Sequence, residues 1–166
     1  MMPEPREPEP VRGGEFPIRK RSDVVVASSQ AGRLARSFGM GPRRAKELAI
    51  VVSELASNIV KHGVRGAIVL TLDSRRGEVA IEARDVGPPI HDFEVAMTDG
   101  CDDRGPIDPA LLLRRGGLGT GLGAVARLAD RVEYREEEGG KTITAWFVLN
   151  AGEGLRVRDQ MGGDCP

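Results

Sequence analysis

The stretch from Glu47 to Gly63 constrains the fold of this chain more than any other, because its apolar positions hold a helical period throughout. Leu48, Val52, Leu55 and Ile59 recur at i, i+4, i+7 and i+11, the spacing of one helical face. Ile50 and Val51 lie close to that face, so the helix is apolar nearly all round and must be buried. Pro42, after Gly41, suits the first turn, where its missing N–H is harmless, and Gly63 suits a left-handed closing position. Lys61 and His62 fall in the last turn, where positive charge is favoured. Glu54 and Asn58, four residues apart, project side by side from the edge of the buried stripe. On a solvated helix such a pair means little; on a buried one, a carboxylate and a carboxamide line a cavity. A carboxylate can take a proton from a nucleophile, and a neutral amide oxygen can help hold Mg²⁺ beside phosphates.

The flanking chain supplies partners for this helix. Residues 1 to 14 alternate Pro with Glu and Arg and read as a disordered leader, followed by a short edge strand over 15–20 in which Pro17 excludes a central position. From Ser22 or Asp23, Val24, Ala27, Ala31, Leu34, Ala35 and Phe38 recur at helical spacing up to Gly39. Runs 67–72 and 78–83 have strand character and a Gly-containing polar connector, which predicts an antiparallel hairpin. A short helix is expected within 91–98, a long mobile segment over 99–117, a helix over 124–130, and a closing hairpin of 131–135 and 142–149. From Asn150 the chain reads as a disordered tail. Paired strands with helices forming the other layer predict an α/β (α+β) two-layer sandwich, helices covering one face of a mixed, largely antiparallel sheet.

With 24 basic and 25 acidic residues the net charge is −1, so no global field holds the chain on nucleic acid or an anionic membrane. An aromatic content of 4% argues against a base-stacking surface. No apolar run approaches the roughly 18 residues of a membrane span, and the start lacks a signal-peptide pattern, so a cytoplasmic location is expected. Cys101 and Cys165 stand in no metal-ligand spacing and are expected to be ordinary thiols.

The clearest ligand signal is Gly116-Gly117-Leu118-Gly119-Thr120-Gly121-Leu122-Gly123, which leads straight into a helical pattern. Closely spaced glycines let backbone N–H groups approach an anion, and a following helix adds its positive end. A P-loop is excluded, since no Lys-Ser/Thr follows the last glycine. Gly119 to Ala124 satisfies G-x-G-x-x-A by letter, but no strand precedes it and too little chain follows for a dinucleotide domain. Asp85, at the exit of a strand beside Val86-Gly87-Pro88-Pro89, presents a further carboxylate to a pocket.

Glu54-Leu55-Ala56-Ser57-Asn58, then Asp85-Val86-Gly87, then Gly117-Leu118-Gly119-Thr120-Gly121-Leu122 resemble, in order and spacing, the N, G1 and G2 boxes of the GHKL (Bergerat-fold) ATP-binding superfamily. The resemblance covers about residues 15–149, with 99–116 as the ATP lid, and is closest to bacterial anti-sigma-factor and switch-protein serine/threonine kinases of the RsbT type. It implies Asn58 as Mg²⁺ ligand, Glu54 as the base that activates the attacking hydroxyl, and Asp85 as acceptor of the adenine amino group. It also implies that Gly87 lets the backbone approach the purine, that Gly117, Gly119, Thr120, Gly121 and Leu122 wrap the phosphates, and that Thr142 helps hold adenine. Two departures stand out: Pro89 replaces the second glycine of the G1 box, and Asp102 to Asp108 resembles an insertion in the lid.

The activity so implied is that of a Mg²⁺·ATP-dependent serine/threonine kinase acting on a STAS-domain antagonist protein in a partner-switching, stress-response pathway. A sigma factor or a regulatory phosphatase is a further partner, and a homodimer is left open. The alternative is a non-catalytic, ATP-gated binding module that acts as an anti-sigma factor or phosphatase activator. Retention of Glu54 favours the enzyme, since a pure switch needs no base. The catalytic domain of a sensor histidine kinase fits less well, because neither His62 nor His91 sits in a phosphoacceptor helical hairpin.

Overall fold

Each apolar pattern finds its counterpart in the computed structural model, which describes residues 10–108, 110 and 121–150. The leader up to residue 9, the lid over 111–116, Gly117, Gly119 and Thr120 of the glycine cluster, and the tail beyond Asn150 lie outside the described residues. The elements run β1 (Val11–Ile18), α1 (Arg21–Ser37), α2 (Pro42–His62), β2 (Gly66–Asp73), β3 (Glu78–Asp85), α3 (Phe93–Ala96), β4 (Cys101–Asp102), β5 (Gly105–Pro106), α4 (Leu122–Leu128), β6 (Arg131–Glu137) and β7 (Gly140–Val148). The hairpins β2–β3 and β6–β7 join through β3 and β7, and β1 adds to the free edge of β2. The resulting five-stranded sheet has the order β1-β2-β3-β7-β6. Every neighbouring pair is antiparallel, so the described sheet has no parallel component. β1 begins four residues before the expected start at Glu15; as an edge strand it tolerates Pro17.

Strand alternation divides the sheet into two faces. Toward the helices point Ile68 and Leu70 of β2, Val79, Ile81 and Ala83 of β3, and Ile143, Ala145 and Phe147 of β7, all buried and in cross-strand register. α2 lies over this surface with Leu48, Val51, Val52, Leu55, Ala56 and Ile59 at most 2% exposed. Each large aliphatic side chain so buried contributes about 1.5–3 kcal/mol. α1 then packs on α2 through Ala27, Ala31 and Ala35, whose small size permits close approach of the two helices. Val24-Val25-Val26 is helical despite its β-prone character: Val24 is buried, and the Asp23 carboxylate caps the helix start by accepting from the Arg19 and Lys20 N–H groups. The opposite sheet face carries Glu82, Arg84, Thr142, Thr144 and Trp146, with the Arg131 guanidinium 4.0 Å above the Trp146 ring.

Arg44, near the start of α2, ties the helical layer together. It donates to Glu47 at 2.7 Å, to the Leu128 carbonyl at 2.9 Å and to Asp130 at 2.5 Å, and lies 4.5 Å over the Phe147 ring. Asp130 also accepts the Val148 N–H at 2.9 Å, so one arginine links α2, α4 and β7. Both side chains of the Arg44–Asp130 pair are below 20% exposed, at 16% and 17%. Arg44→Met is therefore expected to cost about 3 kcal/mol in urea unfolding, because it removes the guanidinium from a largely buried ion pair. A loss under about 1 kcal/mol would show the clamp to be dispensable.

The chain over 99–108, expected to be open loop, is instead partly built. β4 and β5 form a small hairpin spanning most of the lid insertion; His91 N–H donates to Asp103 at 3.0 Å, and Arg127 of α4 contacts Asp99. Cys101 is disulfide-bonded rather than the ordinary thiol expected from its spacing and from the scarcity of cytosolic disulfides. Among the described residues no helix is long and apolar enough to cross a membrane.

Candidate functional site

α2 brings Glu54 beneath the start of α4. Glu54 is 9% exposed and accepts a hydrogen bond from the Gly121 backbone. Burial raises its pKa above the ordinary glutamate value, and the positive charge of Lys61 and the Gly121 hydrogen bond pull it partly back. Gly121 has φ +71°, a conformation suited to glycine, and immediately precedes α4. Leu122 turns its side chain into the core at 7% exposure, so any contact it offers a ligand is through its backbone. Asn58, one turn after Glu54, is partly buried, and its amide makes no hydrogen bond among the described residues.

At the C-terminal end of α2 the chain closes around Asp85. Gly63 was expected in a left-handed closing conformation, but it is extended, at φ −90° and ψ 164°. Its glycine is required for space: a Cβ there would come within 2.8 Å of the Ile59 carbonyl and 3.3 Å of Asp85 Cβ. Gly87 is confined in the same way, since its Cβ would lie 2.8 Å from Asp85 Oδ1 and 3.0 Å from Gly63 Cα. Gly66 and Gly140 close the remaining sides against Asp85 and its backbone. Asp85 thus sits in a backbone box, its side chain 7% exposed.

The partner of Asp85 inside that box is Lys141. Lys141 Nζ donates to Asp85 Oδ1 at 2.7 Å and to the Pro88 carbonyl at 2.8 Å, with its side chain 6% exposed. The two residues are direct Cα partners across β3 and β7. Thr142 pairs with Arg84 and projects from the other face of the sheet, away from Asp85. Of the expected site residues, then, Glu54, Gly121 and Leu122 meet at the middle of α2, and Asp85 and Gly87 lie at its C-terminal end. Asn58 lies between, and Thr142 stands apart. Lys141 was missed, although it is the charged member of the otherwise apolar row Lys141, Ile143, Ala145 and Phe147.

Residues 16–147 match the family described as the histidine kinase-like ATPase domain. The chain belongs to that family. A histidine kinase-like ATPase domain implies ATP binding. The chain is 32% identical over 121 residues to the serine/threonine-protein kinase RsbT of Bacillus subtilis (strain 168), covering 71% of this chain and 83% of RsbT. The fold is shared with the RsbU and RsbW domains of Rv1364c from Mycobacterium tuberculosis, at TM-score 0.55 and 15% identity over 86% of this chain and 33% of that one. It is shared too with the SiaB–SiaC complex from Pseudomonas aeruginosa, at TM-score 0.50 and 15% identity over 83% of this chain and 88% of that one. In this histidine kinase-like ATPase domain the loop after Asp85 is fixed from β6. Ile90 N–H donates to the Tyr134 hydroxyl at 3.0 Å, and Phe93 stacks on the Tyr134 ring at 4.9 Å. A cleft of about 470 Å³ between α1 and α2, lined in part by Ser28, Arg33, Lys46 and Ser53, contains none of the groups just described.

Proposed function

We propose that this protein is a Mg²⁺·ATP-dependent serine/threonine kinase that phosphorylates a STAS-domain antagonist protein in a bacterial partner-switching pathway. One observation carries the reading: α2 holds the Gly121-bonded Glu54 and, nine residues on, the Gly63 backbone that boxes Asp85. At 1.5 Å per residue Glu54 and Gly63 lie about 13 Å apart along the helix. That separation suits an extended nucleotide with its base at Asp85 and its phosphates at the glycine end. Asp85 accepts from the adenine amine, and Gly117, Gly119, Thr120, Gly121 and Leu122 follow the phosphates through backbone N–H groups.

Asn58 fits Mg²⁺ in donor chemistry: it is a hard amide oxygen with no protein partner among the described residues. Among those residues no cluster of three or more His, Cys, Asp or Glu could cage a cation, so Mg²⁺ would share Asn58 with phosphate oxygens and water. The cation supplies charge neutralisation of the transferring phosphoryl group. Glu54, its pKa raised by burial, takes the proton of the attacking serine or threonine hydroxyl. The similarity to RsbT supports a protein hydroxyl as acceptor. The resemblance to the anti-sigma-factor and switch-protein kinases points to a STAS-domain antagonist as that protein, in a cytoplasmic signalling pathway where a sigma factor or regulatory phosphatase completes the switch.

Incubation with [γ-³²P]ATP, Mg²⁺ and STAS-domain proteins is expected to label a serine or threonine of one of them, and EDTA to abolish the labelling. Tight ATP binding without label on any STAS protein would instead favour a nucleotide-gated binding module.

A further inference from the structure

Resting on the nucleotide reading above, we propose that Lys141 reads the purine directly, donating to ring atom N1 while Asp85 accepts from the neighbouring exocyclic amine. A lysine ammonium has three donors. Two are taken, by Asp85 Oδ1 at 2.7 Å and the Pro88 carbonyl at 2.8 Å, and the third has no acceptor among the described residues. On the acid, Oδ1 receives Lys141, and Oδ2 has no hydrogen-bond donor among the described residues. The pair therefore presents one unused donor beside one unused acceptor.

Both side chains are under 10% exposed, 6% for Lys141 and 7% for Asp85. An ion pair taken out of water this far is favourable only when its remaining protons and lone pairs are also matched. Adenine offers the complement on one edge: an amine that donates, next to a ring nitrogen that accepts. Hypoxanthine offers the reverse, a carbonyl that accepts beside an N–H that donates.

The pair is also held in place for this task. Gly63, Gly66, Gly87 and Gly140 pack closely around Asp85 and its backbone. The antiparallel register puts Lys141 directly opposite it, and the Pro88 carbonyl fixes the ammonium from a third side. Preorganised groups of this kind lose little freedom when a ligand arrives, so their hydrogen bonds discriminate well between ligands. A threonine would carry out a similar reading with a neutral hydroxyl; here Thr142 faces away, and the role passes to the residue before it.

The test is calorimetric binding of three triphosphates in Mg²⁺ buffer: ATP, 1-deaza-ATP, in which N1 is a C–H, and purine riboside triphosphate, which lacks the amine. The wild type is expected to prefer ATP to 1-deaza-ATP by about tenfold or more, the scale of a hydrogen bond from a charged donor. Lys141→Met should erase that preference while keeping the preference for ATP over the amine-free nucleotide, which belongs to Asp85. Lys141→Gln, which retains an N–H donor, should restore part of it. The wild-type comparison stands even where the methionine variant does not fold. Equal wild-type affinity for ATP and 1-deaza-ATP overturns the proposal. So does a Lys141→Met protein that binds ATP more tightly with the N1 preference intact, which would make Lys141 a plug on Asp85. Failure of the wild type to bind any of the three overturns the nucleotide reading itself and this proposal with it.

Discussion

Asn58→Ala is expected to weaken Mg²⁺·ATP binding by about a hundredfold or more, equivalent to about 2.7 kcal/mol, while the fold survives. The two halves of this expectation have separate causes. Asn58 lies on α2, whose buried face is built from Leu48, Val52, Leu55 and Ile59, and its amide makes no hydrogen bond among the described residues. Its truncation therefore leaves no buried partner unpaired, and alanine is a better helix former than asparagine. Thermal unfolding of the apo variant should stay within about 0.5 kcal/mol of wild type. On the proposed reading binding falls because Asn58 holds the cation and no cluster of His, Cys, Asp or Glu among the described residues can replace it; without Mg²⁺ the phosphates repel one another and the nearby Glu54 carboxylate. Titration calorimetry with and without Mg²⁺ checks both halves. The wild type should lose affinity when Mg²⁺ is removed, and the variant should show little further loss. If the variant binds Mg²⁺·ATP within threefold of wild type, Asn58 is not the cation ligand.

Much of this site was legible in the sequence, for a physical reason that also marks the limit of the reading. A buried helix declares itself by period, and polar residues on it declare themselves by breaking the pattern, so α2, Glu54 and Asn58 could all be picked out. The hairpins declared themselves by turn chemistry, and Asp85 by its position at a strand exit. What did not carry through is register. A shift of one residue along a strand moves every side chain to the other face, and the Glu138-Gly139-Gly140 turn left the start of β7 uncertain by about that much. The resemblance pointed to Thr142 as an adenine contact, whereas the register puts Lys141, one residue earlier, opposite Asp85. Glycines were legible as glycines but not as to cause. Gly63 and Gly87 exist to let α2 and the turn after β3 approach Asp85, and a sequence does not display close approach. The start of β1 was hidden likewise, because Gly13 and Gly14 look unsuited to a strand. Gly13 in fact lies beneath the Phe38 ring, where a Cβ would come within 2.6 Å. Arg44 and Asp130 are 86 positions apart, and no local pattern relates them.

Glu54→Gln is expected to separate transfer from binding and, unusually for an active-site change, to stabilise the protein. On the proposed reading Glu54 is the base that removes the hydroxyl proton in the transition state, and a carboxamide cannot do so. Label transfer to the acceptor protein should fall by about 10²–10⁴-fold, the range of general-base contributions. ATP affinity should change little, because glutamine keeps an oxygen that can accept the Gly121 hydrogen bond. The pH dependence follows from the direction of the shift. Burial is the largest influence on Glu54 and raises its folded pKa above the unfolded value, so its charged form is disfavoured in the native state. The stability linked to this group is fully present below the unfolded pKa and is lost as pH rises through the folded pKa. At pH 8 the wild type therefore bears the cost of a buried carboxylate that Glu54→Gln lacks, and the variant should melt higher. The difference should shrink as the pH is lowered and Glu54 takes up its proton. Activity runs the opposite way: wild-type transfer should decline on acidification at a higher pH than an ordinary glutamate, near 4.3, would give. A variant that melts lower than wild type at pH 8 would mean that the Lys61 charge and the Gly121 hydrogen bond outweigh burial. A variant that still transfers phosphate within tenfold of wild type would remove Glu54 from the chemistry and leave its buried charge to be explained by nucleotide gating alone.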